Sequence, residues 1–112
     1  MGTFEVLAEP NRRLILDLLR SEDHPVNDLV GALSLSQPAV SKHLRVLRDA
    51  GLVVSRVEAQ QRVYSLSPQP LRELDDWLAP YRLRWSDALD RLEDRVTARR
   101  ATTGAHDPKE PE

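Results

Sequence analysis

The sequence predicts a mainly α-helical fold that carries one small β-hairpin and closes on a long C-terminal helix. Three observations predict it. Apolar residues recur at helical spacing in several short segments before residue 50. Two stretches rich in Val, Tyr and Ser, Leu52 to Glu58 and Arg62 to Leu66, flank Ala59-Gln60-Gln61, which is a hairpin signal. Finally, Leu71, Leu74, Leu78, Tyr81, Trp85, Leu89, Leu92 and Val96 form one apolar stripe, spaced 3, 4, 3, 4, 4, 3, 4 along the chain.

The elements follow in order. Phe4, Leu7 and Ala8 share a face of a short opening helix, which breaks at Glu9-Pro10. Proline suits the first turn of a new helix, because its missing N–H is unpaired there anyway. Leu14, Ile15, Leu18 and Leu19 continue that second helix to about Arg20. Ser21 to Pro25 reads as a polar connection. Asn27 to Leu33 is a short helix with Leu29, Val30 and Leu33 inward, and Ser34-Leu35 is a tight turn. Ser36 can cap the next helix with its hydroxyl. Val40, Leu44 and Leu47 then mark its buried face, and Gly51 is placed to end it in a left-handed conformation. The hairpin turn lacks Asn-Gly or Gly-Gly, so its type cannot be read off. The C-terminal helix should run to about Arg100, with Pro80 kinking or splitting it. Residues 1–100 form one domain in this reading. From Ala101 the chain is polar, with proline and acidic residues, and is expected to be disordered.

Composition narrows the chemistry. The chain has 112 residues, 40% hydrophobic and 30% charged, as expected of a soluble domain with one modest core. No apolar run is long enough to span a bilayer, and no signal peptide opens the chain. There is no cysteine, which excludes disulfides, thiolate nucleophiles and thiolate metal sites. No Gly-rich phosphate loop or nucleophile–base arrangement is visible, so an enzyme is not expected. The net charge of −2 hides an asymmetry. Residues 36–66 carry Lys42, Arg45, Arg48, Arg56 and Arg62 against Asp49 and Glu58, whereas the segment before them is net acidic. A single basic stretch suggests an anionic partner there.

That stretch contains the Ser36–Ala50 helix. At 100° per residue, Pro38, Lys42, Arg45 and Asp49 lie opposite its apolar face, Ser41 and Arg48 lie on one flank, and Ser36 and Gln37 stand at the N-terminus. Amide, hydroxyl and cationic groups so arranged are what a DNA major groove reads: Gln pairs with adenine, Arg or Lys with guanine, Ser with phosphate or base. A solvated helix face has the same composition, and the residues alone leave both readings open.

The run from Leu29 to Val53 resembles the helix-turn-helix of the ArsR/SmtB winged-helix repressors. The resemblance is carried by Val40-Ser41-x-His43-Leu44, the exit Ala50-Gly51-Leu52-Val53, the wing strand Arg62-Val63-Tyr64-Ser65-Leu66 and the opening Leu7-Ala8-Glu9-Pro10-Asn11-Arg12-Arg13-Leu14-Ile15-Leu16. It implies a winged helix-turn-helix with a C-terminal dimerisation helix, and a cytoplasmic homodimer that binds double-stranded operator DNA and represses transcription. It places Gln37, Pro38, Ala39, Ser41 and Lys42 at bases or nearby phosphates, with Arg45 next along the face and Ser36 both cap and contact. Arg56 and Arg62 would flank a wing whose tip, Gln60 and Gln61, approaches the minor groove or backbone. His43 falls toward the buried side and reads as structural.

The chain departs from the family where the family senses metals. Pro25 to Val30 has no cysteine pair, and the C-terminal helix offers Asp75, Asp76, Asp87 and Asp90 but no histidine. Transition-metal selectivity needs imidazole or thiolate. The resemblance is therefore to a metal-independent branch, with no metal site and no cofactor. Phe4, Leu7, Trp77, Tyr81, Trp85, Leu89, Leu92 and Val96 form the expected dimer interface, and a membrane-surface role is not expected. Two alternatives stay open: a winged-helix protein-interaction module without DNA binding, and a repressor with an apolar small-molecule effector near Trp77, Tyr81 and Trp85.

Overall fold

The structure, a computed structural model, describes residues 1–103. The chain divides into two compact units, Met1–Asp75 and Asp76–Glu112.

The first unit holds α1 (Thr3–Leu7), α2 (Pro10–Ser21), β1 (His24–Pro25), α3 (Val26–Leu33), α4 (Gln37–Asp49), β2 (Val53–Glu58) and β3 (Gln61–Leu66). Its helix boundaries are set locally. Glu9 caps α2, its Oε1 accepting from the backbone N–H of Asn11 at 2.7 Å and of Arg12 at 3.3 Å, with Pro10 in the first turn. Ser34 ends α3 in the left-handed region at φ 57°, and its N–H donates to the Val30 carbonyl. After α4 the N–H of Gly51 donates to Arg48 and that of Leu52 to Leu47, both at 2.9 Å, a Schellman closure made possible by Gly51 at φ +77°.

The core is built from Val6, Ile15, Leu16, Leu19, Leu29, Val40, Leu44, Leu47, Leu52, Val53 and Tyr64. The expected inward faces are confirmed on α3 and α4 and corrected on α2. Val6, which the shared face of Phe4, Leu7 and Ala8 does not include, is the buried residue of α1, and Phe4 is exposed. On α2, Leu16 points inward while Leu14 is exposed and Leu18 is half-buried. Either adjacent pair satisfies helical spacing, and the packing partners choose between them.

The sheet has three antiparallel strands in the order β1-β3-β2. The expected connection at Ser21–Pro25 thus includes a strand. At two residues it is too short for any periodicity to mark. The hairpin turn is two residues, not three: Glu58 pairs with Gln61, leaving Ala59 and Gln60 at φ 48° and 68°. Two successive left-handed residues make a type I′ turn, which matches the right-handed twist of the strands. Ala and Gln both resist that conformation, so the strand pairing imposes it.

α5 (Gln69–Thr103) begins in the first unit, where Leu71 packs on the core, and is assigned as one helix through Pro80. The proline does not split it. It reaches Thr103, past the expected Arg100, and the rest of the expected tail lies outside the described residues. In the second unit, Trp77, Tyr81, Trp85, Leu89, Leu92 and Val96 are exposed in this single chain, Trp77 by 52% and Leu89 by 61%. Trp77 and Tyr81, one turn apart, bring their rings to 5.0 Å between centroids at 42°.

Replacing Ala59→Asn and Gln60→Gly together should raise unfolding stability by about 1 kcal/mol, since the left-handed conformation costs ordinary residues roughly 1–2 kcal/mol each and Gly forfeits part of the gain in the unfolded chain. Urea denaturation of the variant against the parent chain checks this.

A candidate DNA-binding surface on helix α4 and the hairpin

The buried row of α4 decides what faces water. Val40, Leu44 and Leu47 are fully buried, so Gln37, Pro38, Ser41, Lys42, Arg45 and Arg48 are all exposed and Ala39 is half-buried. Ser36 is exposed and does cap the helix, its Oγ accepting from the Ala39 N–H at 3.2 Å. Among the described residues, no carboxylate lies within ion-pair distance of Lys42, Arg45 or Arg48. Their charge is available to an incoming anion. Four residues of the expected set, Gln37, Ser41, Lys42 and Arg45, share this face with the helix N-terminus, whose backbone amides also favour negative charge.

α4 is tied down on its other side. His43 is only 17% exposed at its side chain, and its Nε2 lies 4.0 Å from Glu9 Oε1. Its Nδ1 accepts from Arg12 Nε at 3.4 Å, and Arg12 Nη1 donates to the Val6 carbonyl at 3.1 Å. The reading of His43 as a structural residue agrees with this placement, which links α4 to the start of α2 and to α1.

The hairpin treats its two arginines differently. Arg62 is exposed, donates to Ser55 Oγ across the strands at 3.2 Å, and has no carboxylate partner among the described residues. Gln60 sits in the turn and Gln61 opens β3, both exposed. Arg56 is engaged by the protein itself. Its Nε donates to Glu58 Oε2 at 2.7 Å, and its Nη1 donates to Asp23 Oδ2 and to Ser65 Oγ, both at 2.9 Å. Asp23 was missed by sequence reasoning. It lies 33 residues from Arg56 in a stretch that reads as linker. The hydrogen bond from Arg56 and then Ser65 hold the Asp23 carboxyl below its ordinary 3.8. Glu58 first, then Asp23, raise Arg56 further. Among the described residues no group of three or more His, Asp or Glu is placed to hold a metal ion.

The profile described as bacterial regulatory protein, arsR family, matches residues 9–55, from the cap of α2 into the hairpin. The transcriptional repressor SdpR of Bacillus subtilis is 32% identical over 77 residues, covering 69% of this chain and 86% of SdpR. The chain belongs to the arsR family of bacterial regulatory proteins. It is a DNA-binding regulator of transcription and not an enzyme. The HTH-type transcriptional regulator NmtR of Mycobacterium tuberculosis is 45% identical over 75 residues, covering 67% of this chain and 62% of that relative, so the match spans a little under two-thirds of NmtR. A solved structure of a possible transcriptional regulator for arsenical resistance superposes with a TM-score of 0.62 at 44% identity, covering 81% of this chain and 92% of that one. Among these folds the arsR regulator carries the winged helix-turn-helix read from its sequence. No described helix is long and apolar enough to cross a membrane.

The lowered Asp23 value has a sign. A carboxyl depressed in the folded state contributes stability that is present above its unfolded value and lost as pH falls through the folded one. The Asp23–Arg56 contribution should be complete above about pH 5 and fade below the ordinary 3.8. Asp23→Asn should therefore flatten the acid limb of the stability profile. Urea midpoints of both chains between about pH 6 and pH 3 measure it, with the two curves converging at the acid end.

Proposed function

We propose that this arsR-family chain is a cytoplasmic homodimeric repressor that binds double-stranded operator DNA through two copies of α4, without a transition metal. The observation that carries the reading is the outward face of α4, where Gln37, Ser41, Lys42 and Arg45 are exposed and the cations lack carboxylate partners among the described residues. Cations left unpaired beside hydrogen-bonding side chains suit phosphate and base edges, since phosphate contacts position a protein and base contacts specify the site. Ser36, Pro38 and Ala39 accompany them at the helix start. Gln60, Gln61 and Arg62 brace the flank from the hairpin. Absence of cysteine and of histidine on α5 supports independence from transition metals.

The homodimer is supported by the exposed stripe of α5. At 100° per residue Trp77, Tyr81, Trp85, Leu89, Leu92 and Val96 fall within an arc of about 120°, wide enough for a partner helix. Phe4 is 60% exposed on α1 and joins the proposed interface, whereas Leu7 spends part of its side chain on the core. Leu83, exposed by 71%, lies outside that arc.

Three measurements test this. The unsubstituted chain should sediment as a dimer in chelator, and Leu89→Asp with Leu92→Asp should give monomers and abolish operator binding; a monomeric parent chain sinks the dimer. Selection from a random DNA pool should return an inverted repeat with half-site centres about 34 Å apart, one helical turn. Gln37→Ala should then cost about 1–3 kcal/mol at the selected site and relax one or two base positions per half-site. An unchanged base preference in that variant would assign the reading to another element.

A further inference from the structure

Arg56 stands apart from the other cations of the basic stretch. Lys42, Arg45, Arg48 and Arg62 carry no carboxylate partner among the described residues, while Arg56 holds two. One guanidinium against two carboxylates leaves its surroundings net negative, which repels a phosphate. The three segments it touches are also informative: the residue immediately before β1, the end of β2, and β3. β1 pairs with β3 over only two residues, His24 with Tyr64 and Pro25 with Val63. Pro25 has no N–H to give that ladder. Main-chain bonding between the β1 connection and the hairpin is therefore sparse, and a side-chain tie at Asp23 makes up for it.

We propose that Asp23 and Arg56 form a clamp that fixes the middle of the β2–β3 hairpin on the connection into β1, so that both are positioning residues for the hairpin rather than Arg56 being a phosphate contact. The inference rests on the DNA-binding reading above. From Arg56 the strand runs three residues to the turn, about 10 Å at strand rise. A small change of angle at the clamp becomes a larger displacement of Gln60 and Gln61 at the tip and moves Arg62 with them. Exposed ion pairs add only modestly to global stability, enough to shape the acid limb, so the larger effect of this one is sought in local position. Ser65 completes the clamp by accepting from the same Nη1 that meets Asp23.

The test compares Asp23→Asn, Arg56→Gln and the double variant in the full chain. Asp23→Asn is the decisive one, because it removes a negative charge and leaves every cation in place. If Arg56 were a phosphate contact, freeing it would tighten DNA binding. The clamp instead requires Asp23→Asn to weaken binding to the selected operator about three- to tenfold, with the double variant no worse than the weaker-binding single and the salt slope unchanged in all three. In the free protein, amides of β2 and β3 should exchange about threefold faster in Asp23→Asn while those of α2 and α4 hold, which separates local release from general unfolding. Tighter binding by Asp23→Asn, a salt slope lowered by about 2 per dimer in Arg56→Gln, or unchanged hairpin exchange overturns the clamp. A parent chain that binds no DNA overturns the DNA reading instead, and the exchange measurement still judges the clamp.

Discussion

Everything on the candidate surface depends on the burial of one row of side chains, Val40, Leu44 and Leu47, at zero exposure in the core. Burying such a side chain is worth about 1.5–3 kcal/mol each, and leaving a cavity in its place costs more than the transfer alone. No other rotation of α4 about its axis can satisfy that row. Once it is seated against Ile15, Leu29 and Leu52, the opposite face is committed to water. Ser36 and Gly51 then set where the helix starts and stops. A helix of defined rotation and length, with amide, hydroxyl and cationic groups outward, is the physical content of a DNA-reading element.

Charge is distributed on the same logic. Among the described residues the cations of α4 form no ion pair with a carboxylate, so their charge stays open to an incoming anion. Arg56 has two, and its charge is consumed in holding the chain together. Residue type alone puts these arginines in one class. Their partners divide them into one set that can meet an anion and one residue that holds the hairpin. The hairpin needs such help, because its turn is built from two residues that do not favour the left-handed conformation and its third strand is two residues long.

α5 raises a separate constraint. Three of its aromatic side chains and three aliphatic ones share a stripe that is exposed in the single chain. Apolar surface of that continuity is costly in water. A second copy offers the complementary stripe by symmetry, since a twofold interface sets the same patch against itself. The dimer so formed would present two α4 helices, which an inverted repeat requires.

Helix α4 shows how far the sequence reaches. Its apolar period, its Ser36 cap and its Gly51 exit are local, each using bonds within a few residues, and all stand in the structure where the spacing put them. The family resemblance was legible for the same reason, since it rests on contiguous motifs such as Val40-Ser41-Lys42-His43-Leu44. What could not be read depends on partners distant along the chain. Helical spacing admits Leu14 as readily as Leu16, and only the core against which α2 packs chose Leu16. The I′ turn at Ala59-Gln60 is invisible to turn propensity because the pairing of Glu58 with Gln61 overrides it. Asp23 looked like linker, and Arg56 like a free cation, until the fold brought them to 2.9 Å across 33 residues. Local chemistry writes helix limits and motifs into the sequence, whereas which side chain faces inward and which charge is already taken are settled by packing energies that no local window contains.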